Sequence, residues 1–124
     1  MVKRYGGFMT TSLAIALLVA TLALGVAAGL LYLQQRHKPL LVRAHLMLAL
    51  AAVAGVAVLV FATPGSAGPP AALPLAMLGV AAALGWGAPR IPRLSRQRAT
   101  LMLAGHAVLG VAGFLVFLAW VKAP

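Results

Sequence analysis

The amino-acid sequence predicts an all-α integral membrane protein, a four-helix bundle of up-down topology in which residues 1–124 form a single transmembrane domain. Apolar residues make up 64% of the chain and charged residues only 8%. Soluble domains are roughly half apolar and a quarter charged. The mean hydropathy of +1.07 and the position of the charges, between long apolar runs, point the same way. Lipid is therefore the expected solvent of most of the chain.

Four apolar runs are each long enough to cross the hydrocarbon core of a bilayer as a helix. They cover about residues 10–33, 40–62, 71–88 and 99–121. At a rise of about 1.5 Å per residue, roughly 20 residues span the core, which is about 30 Å thick. Four crossings consume most of the chain, and little remains for a soluble domain.

Basic residues mark one side of the predicted bundle. The first and third connections carry seven Lys or Arg residues: Arg36, Lys38, Arg43, Arg90, Arg93, Arg96 and Arg98. The other side holds Lys3, Arg4 and Lys122, and the middle connection, 63–70, is uncharged. Because Lys and Arg concentrate in cytoplasmic loops, we expect cytoplasmic basic loops and periplasmic termini. The Ala, Gly, Leu and Arg usage is typical of a GC-rich bacterium and predicts the inner membrane.

The formal charge of +10 favours anionic lipid headgroups as a partner over nucleic acid. The basic residues are separated by apolar runs and are not gathered on one soluble face.

The aromatic side chains agree with the predicted arrangement of spans and loops, because amphipathic rings prefer membrane interfaces. Tyr32 and Trp86 fall at the predicted cytoplasmic ends, and Tyr5, Phe8 and Trp120 fall at the outer ends.

An internal duplication is indicated by three matching segments, of which the shortest pairs residues 55–57 with residues 110–112. Residues 24–32 match residues 78–86 at an offset of 54, and residues 44–49 match residues 99–104 at an offset of 55. The predicted repeats, about 10–62 and 71–121, contain two spans each. Both repeats then have the same orientation, and a pseudo-two-fold axis along the membrane normal would relate them.

Small residues recur at the four-residue spacing that lets helix backbones approach closely in lipid. The predicted packing residues are Gly25, Gly29, Ala51, Gly55, Ala81, Gly85 and Gly110. The sequence leaves open whether they pack within the bundle or against other membrane subunits.

The composition excludes most catalytic chemistry. The chain has no Asp, Glu or Cys. Paired-acid catalysis, carboxylate cages for Ca²⁺ or Mg²⁺ and thiolate metal or iron–sulfur sites are therefore ruled out. We predict that the chain is not an independent enzyme and that haem iron is the only metal to consider.

Two histidines lie in the apolar runs, where an ionisable side chain is a functional candidate. His45 is near the start of the second run, and His106 is about 10 Å deep in the fourth. One alternative for His106 is an interhelical hydrogen bond to a backbone carbonyl or a hydroxyl, and another is a contact with a partner subunit or a quinone. A third is ligation of one b-type haem by His45 and His106, with Arg43 or Arg98 near the propionates.

In its four spans, His45, His106 and the flanking arginines, the chain resembles the four-helix b-type cytochromes of the cytochrome b561 kind. The resemblance implies haem b on one axial pair, whereas that family carries two haems on two histidine pairs. The repeat register sets His45 opposite Thr100 and His106 opposite Ala51. That is a stagger of six residues, or roughly 9 Å, which argues against a shared haem.

Three functions follow as hypotheses. The first is a small accessory or anchor subunit of a larger membrane complex, respiratory or redox in kind, that acts by helix packing. The second is a b-type haem or quinone-site protein that transfers electrons through His45 and His106. The third is a small transporter or channel, although the first run alone carries several hydroxyls: Thr10, Thr11, Ser12 and Thr21.

Overall fold

The computed structural model describes residues 2–62 and 70–122, and the side chains within them from residue 10 onward. These residues form four α-helices and no strand: α1 (Val2–Leu33), α2 (Pro39–Ala62), α3 (Ala72–Gly87) and α4 (Arg96–Lys122). The predicted all-α membrane fold class is confirmed. The side chains of Tyr5 and Phe8 and the connection 63–69 lie outside the described part, so the expectations for them stay predictions.

Helices α1 and α4 begin earlier than the apolar runs. Helix α1 begins at Val2, and its membrane-compatible part runs from Thr10 to Leu33. Helix α4 begins at Arg96. Hydropathy identifies the apolar part of a helix, whereas the hydrogen-bonded backbone continues into the polar residues before it. Both helices therefore extend beyond the predicted spans at their N-terminal ends.

Helix α3 is shorter than the predicted crossing over residues 71–88. Three of the described helices are long and apolar enough to cross a membrane, and α3, with 16 residues, is not among them. Its length of about 24 Å falls short of a hydrocarbon core of about 30 Å. Pro89 lies two residues beyond its last residue and cannot continue a helix ladder. A crossing by so short a helix requires local thinning of the bilayer, snorkelling of flanking side chains or association with other helices.

The chain divides into two compact units, Met1–Thr63 and Pro64–Pro124. In the first unit α1 packs on α2, and in the second α3 packs on α4. Each unit is thus a helical hairpin, and the boundary falls in the uncharged connection between the two predicted repeats. The prediction of one domain over residues 1–124 stays a prediction.

Each hairpin has a narrow buried seam. In the first it consists of Ala14, Leu18, Ala52, Val56 and Leu59. In the second it consists of Pro74, Leu78, Ala81, Ala88, Gly113, Phe117 and Trp120. Large apolar side chains outside the seams are exposed, among them Leu40 at 80% and Phe61 at 81%. Such surfaces suit lipid, in which van der Waals packing and interhelical hydrogen bonds hold helices together.

Trp120 lies near the end of α4, as its sequence position predicts, but its ring is buried rather than exposed at that end. Its side chain is 5% exposed and packs against Phe117, with ring centroids 6.0 Å apart. Position along a helix predicts depth, but the direction in which the side chain points is set by the partner helix. Tyr32 and Trp86, by contrast, are exposed at the ends of α1 and α3.

The end of α1 is closed by a Schellman motif. Arg36 N–H donates to the carbonyl of Leu31 at 2.8 Å, and Gln35 N–H donates to that of Tyr32 at 3.0 Å. The motif places Gln35 in the left-handed region, with φ 57°. A residue with a Cβ is strained there, whereas glycine is not.

Side-chain hydrogen bonds also satisfy backbone groups at the two helix ends that flank the basic connection between α3 and α4. The Arg90 guanidinium donates to the carbonyl of Trp86 at 2.7 Å and lies 4.6 Å from the centroid of the Trp86 ring. Ser95 precedes α4, and its hydroxyl accepts a hydrogen bond from the backbone N–H of Arg98 at 3.3 Å. This is the usual N-cap arrangement, which satisfies a donor that the first helical turn cannot.

Replacing Gln35 by Gly should stabilise the first hairpin by about 1 kcal/mol, because it relieves the left-handed strain. The measurement is reversible unfolding in detergent micelles. Gln34→Gly is the matched control, since Gln34 lacks a positive φ and glycine there should cost about 0.5–1 kcal/mol. Equal destabilisation by both variants would contradict the expectation.

Replacing Trp120 by Ala should destabilise the second hairpin by about 3 kcal/mol. The substitution removes the contacts of a buried ring. The expected loss lies at the low end of the range for aromatic-to-alanine substitutions, because the unfolded side chain contacts lipid rather than water. Trp86→Ala is the control, and because Trp86 is 54% exposed it should cost about 1 kcal/mol or less. Similar losses for both tryptophans would show that Trp120 is not a core residue.

Candidate functional site

His45 forms an interhelical hydrogen bond within the first hairpin. Its Nδ1–H donates to the backbone carbonyl of Thr21 in α1 at 3.0 Å, and the ring is half-buried. The imidazole lies against Gly25, one turn further along α1. A Cβ built on Gly25 would stand 3.0 Å from the ring Cε1, tighter than almost all real contacts.

His106 repeats this arrangement in the second hairpin. Its Nδ1–H donates to the carbonyl of Ala81 in α3 at 2.6 Å, and its ring is also half-buried. The ring lies against Gly85, where a Cβ would stand 2.7 Å from Nδ1 and 2.8 Å from Cε1. A side chain on Gly85 is therefore incompatible with the observed position of the ring.

We call each set of carbonyl, glycine and histidine a histidine seat. The first seat comprises the Thr21 carbonyl, Gly25 and His45, and the second comprises the Ala81 carbonyl, Gly85 and His106. A helix carbonyl already accepts one hydrogen bond from the N–H four residues on, and its second lone pair can accept another. A ring that approaches this lone pair must lie over the residue four positions on. A Cβ at that position would crowd the ring, by a few tenths of an ångström at Gly25 and by more at Gly85.

The two seats correct the predicted register of the duplication. Residues 60 apart correspond in α1 and α3, and residues 61 apart correspond in α2 and α4. His45 is thus equivalent to His106, not opposite Thr100. The predicted offsets of 54 and 55 were wrong because Ala, Leu and Val recur so often that segments match by composition. The predicted six-residue stagger, which argued against a shared haem, is removed with them.

The same offsets relate the buried seams. Ala14 and Leu18 correspond to Pro74 and Leu78, while Ala52, Val56 and Leu59 correspond to Gly113, Phe117 and Trp120. Every position that is buried in the first hairpin has a buried equivalent in the second. The correspondence therefore extends over several turns of each helix and does not depend on the histidines alone.

The hydrogen bonds also fix which imidazole nitrogen carries the proton. A carbonyl oxygen can only accept, so Nδ1 must be the donor in both seats. In a neutral imidazole Nε2 then holds the lone pair. A histidine whose Nδ1–H is bonded to a backbone carbonyl is the arrangement that orients Nε2 as a metal ligand.

The predicted arginines are not placed equivalently. Arg43 precedes His45 by two residues, a spacing that puts the two side chains on different faces of α2. Arg98 precedes His106 by eight residues, or about 12 Å along α4. Both arginine side chains are exposed. The position in α4 that corresponds to Arg43 is Ala104.

The predicted packing residues fall into two groups. Gly25, Gly85, Ala81 and Gly55 face the partner helix of their own hairpin, the last with a built Cβ 3.9 Å from that of Ala14. Gly29 and Gly110 meet no other atom within 4 Å of a built Cβ, and Ala51 is exposed. These three residues lie outside the seams of their respective hairpins.

For His106, the predicted alternative of an interhelical hydrogen bond to a backbone carbonyl is confirmed. Which carbonyls accept, those of Thr21 and Ala81, could not be predicted, because backbone groups carry no sequence signal. The signal that could have found them is the paired spacing of glycine and histidine. Gly25 precedes His45 by 20 residues, and Gly85 precedes His106 by 21. Among the described residues no group of three or more His, Cys, Asp or Glu could hold a metal ion.

Comparisons of the chain with protein-family models, with curated proteins and with solved structures found no match.

Proposed function

We propose that the chain is a small integral subunit of a larger membrane complex, respiratory or redox in kind, and that it acts by helix packing. The observation that carries the proposal is the position of Gly29, Ala51 and Gly110 outside the hairpin seams. A small side chain gains little from contact with lipid, but it lets another helix approach the backbone closely. The exposed apolar faces of both hairpins add area to such contacts.

The same proposal includes a place in the cell. The chain lies in a bacterial inner membrane, with periplasmic termini and cytoplasmic basic loops, as the distribution of Lys and Arg predicts. The arginines of the α3–α4 connection, Arg90, Arg93, Arg96 and Arg98, are exposed and suit contact with anionic headgroups. Reporter fusions to each loop and terminus test this orientation.

Gly29→Leu should release the chain from its complex while leaving the hairpin intact. A Cβ at Gly29 meets nothing within 4 Å, so the position has room for a side chain, and that side chain would block an approaching helix. The measurement is the apparent size on native gels of membranes solubilised in mild detergent, alongside unfolding of the purified chain. Val26→Leu, at a position on the same helix that is 64% exposed, is the control. A chain that runs alone as a monomer with a bound cofactor would sink the proposal.

A second candidate function is electron transfer by a b-type haem or at a quinone site, and the two equivalent histidine seats favour it. The resemblance to cytochrome b561-like proteins implies haem b, and the donor set fits it because both imidazoles hold their lone pair on Nε2. When bound, haem would supply one-electron transfer. His45 and His106 would be the iron ligands, with Arg43 or Arg98 near the propionates.

If this candidate is correct, the purified protein shows a Soret band and a sharpened α-band after reduction with dithionite. His106→Ala should abolish or convert that spectrum, and His37→Ala should leave it unchanged because His37 is exposed in the α1–α2 connection. A low-spin spectrum indicates two imidazole ligands on one iron, and a high-spin spectrum indicates one. A colourless protein at every stage of purification rejects haem.

A further inference from the structure

The connection between α3 and α4 carries an inference about one of its arginines. We infer that the Arg90 guanidinium, held in place by Trp86 at the end of α3, binds the phosphate of an anionic lipid headgroup. The inference rests on the proposed contact between this connection and anionic headgroups. It goes beyond that contact because it names the side chain and the headgroup atoms that form a defined site.

Arg90 is held at three points. Its guanidinium donates to the Trp86 carbonyl at 2.7 Å and lies 4.6 Å from the centroid of the Trp86 ring. Its backbone N–H donates to the Gly87 carbonyl at 2.9 Å. A flexible arginine side chain loses rotamer freedom when it binds an anion. That freedom is already restricted here, so binding an anion costs less conformational entropy than it does at an unrestrained arginine.

The guanidinium needs a counter-ion that side chains of this chain cannot supply. The sequence contains no Asp or Glu, so no side-chain carboxylate of the chain can neutralise Arg90. The Trp86 carbonyl accepts from one of the five N–H donors of the guanidinium and carries no formal charge. Phosphate oxygens match the planar fork of an arginine and accept two parallel hydrogen bonds from it. A phosphate therefore suits both the charge and the geometry of the exposed guanidinium.

The end of α3 lies where a lipid phosphate can reach it. Helix α1 continues eight residues past Gly25 of its own histidine seat, whereas α3 ends two residues past Gly85 of the other seat. Arg90 takes the position that corresponds, 60 residues on, to Leu30 within the apolar part of α1. Where a bilayer thins around so short a helix, its phosphates come closer to the helix end.

Trp86 favours a lipid over a free phosphate ion as the occupant. Its ring is 54% exposed, and indole rings prefer the level of the headgroups. A phosphate ion from the aqueous phase would contact the guanidinium alone. A lipid can place its phosphate on the guanidinium and its glycerol and upper acyl carbons on the indole ring. The stacked pair therefore offers contacts to both the polar and the apolar part of one lipid.

The inference is tested by the fluorescence of Trp86 in the full chain, reconstituted in vesicles. Trp120→Phe removes the other tryptophan, and lipids with brominated acyl chains quench an indole that they contact. Brominated phosphatidylglycerol should bind beside Trp86 roughly fivefold more tightly than brominated phosphatidylcholine, the preference that one arginine near the surface supplies. Arg90→Gln should reduce this preference to nearly none.

Arg96→Gln is the matched control, because it removes the same charge from the start of α4. It should keep most of the preference, whereas Arg90→Lys should keep less than half, since an ammonium group cannot bind a phosphate bidentately. Equal losses in Arg90→Gln and Arg96→Gln would mean that headgroups respond to overall charge alone. That result overturns the inference and leaves the proposed headgroup contact standing. A wild type without any preference rejects both.

Two further outcomes would identify a different occupant. Relief of the quenching by inorganic phosphate would show that a soluble anion binds Arg90. Release of the chain from its complex by Arg90→Gln on native gels, without a lipid preference in the wild type, would show that a carboxylate of a partner subunit binds it. Either result overturns the assignment to a lipid.

Thermal unfolding separates lipid binding from helix capping, and it uses the chain with both tryptophans in case Trp120→Phe folds poorly. Phosphatidylglycerol in mixed micelles should raise the Tm of the wild type and of Arg96→Gln by a few degrees relative to phosphatidylcholine, because a ligand that binds the folded state stabilises it. The Tm of Arg90→Gln should not respond. If Arg90 only caps α3, the wild type and Arg90→Gln respond equally, and the inference fails.

Discussion

The hydrogen bond from an imidazole Nδ1–H to a helix carbonyl fixes how the two helices of each hairpin meet. In lipid no water competes for such a bond, and apolar surfaces gain little by leaving hydrocarbon. A polar contact of defined length between helices therefore sets their register more strongly than any apolar pair. The bonds from His45 to Thr21 and from His106 to Ala81 do so at equivalent places. The seams below them follow from that register.

Packing in the two seams is complementary in volume rather than identical in sequence. Where the first hairpin has Ala52 and Val56, the second has Gly113 and Phe117. A Cβ on Gly113 would stand 3.1 Å from two carbon atoms of the Leu78 side chain, so this glycine lets the helices approach. In the second hairpin the helices approach closely at Gly113, and the large Phe117 ring fills the space one turn further on. The two seams therefore fill similar space, as dense packing requires. The side chains of the two seams differ, whereas each seat has a histidine, a glycine and a backbone carbonyl.

The class of the fold and most helix limits could be predicted from composition, because lipid demands long apolar helices whatever their partners. The direction in which each side chain faces could not be predicted from composition. Trp120 was predicted to be an interfacial ring, and its ring is buried, since hydropathy gives depth along a helix but not rotation about the helix axis. The equivalence of His45 and His106 could not be predicted either, because segments rich in Ala, Leu and Val align almost equally well at several offsets. Hydrogen bonds to Thr21 and Ala81 revealed it.

The contrast between seams and seats bears on what the histidines are for. If any close contact could hold a hairpin together, the seats would differ as the seams do, where Phe117 stands in place of Val56. Instead both halves keep a histidine and a glycine, although the surroundings differ. Gly25 lies eight residues before the end of α1, whereas Gly85 lies two residues before the end of α3. The two seats thus share the donor, the acceptor and the glycine although core volume and helix length differ, as a hydrogen bond between the two helices requires.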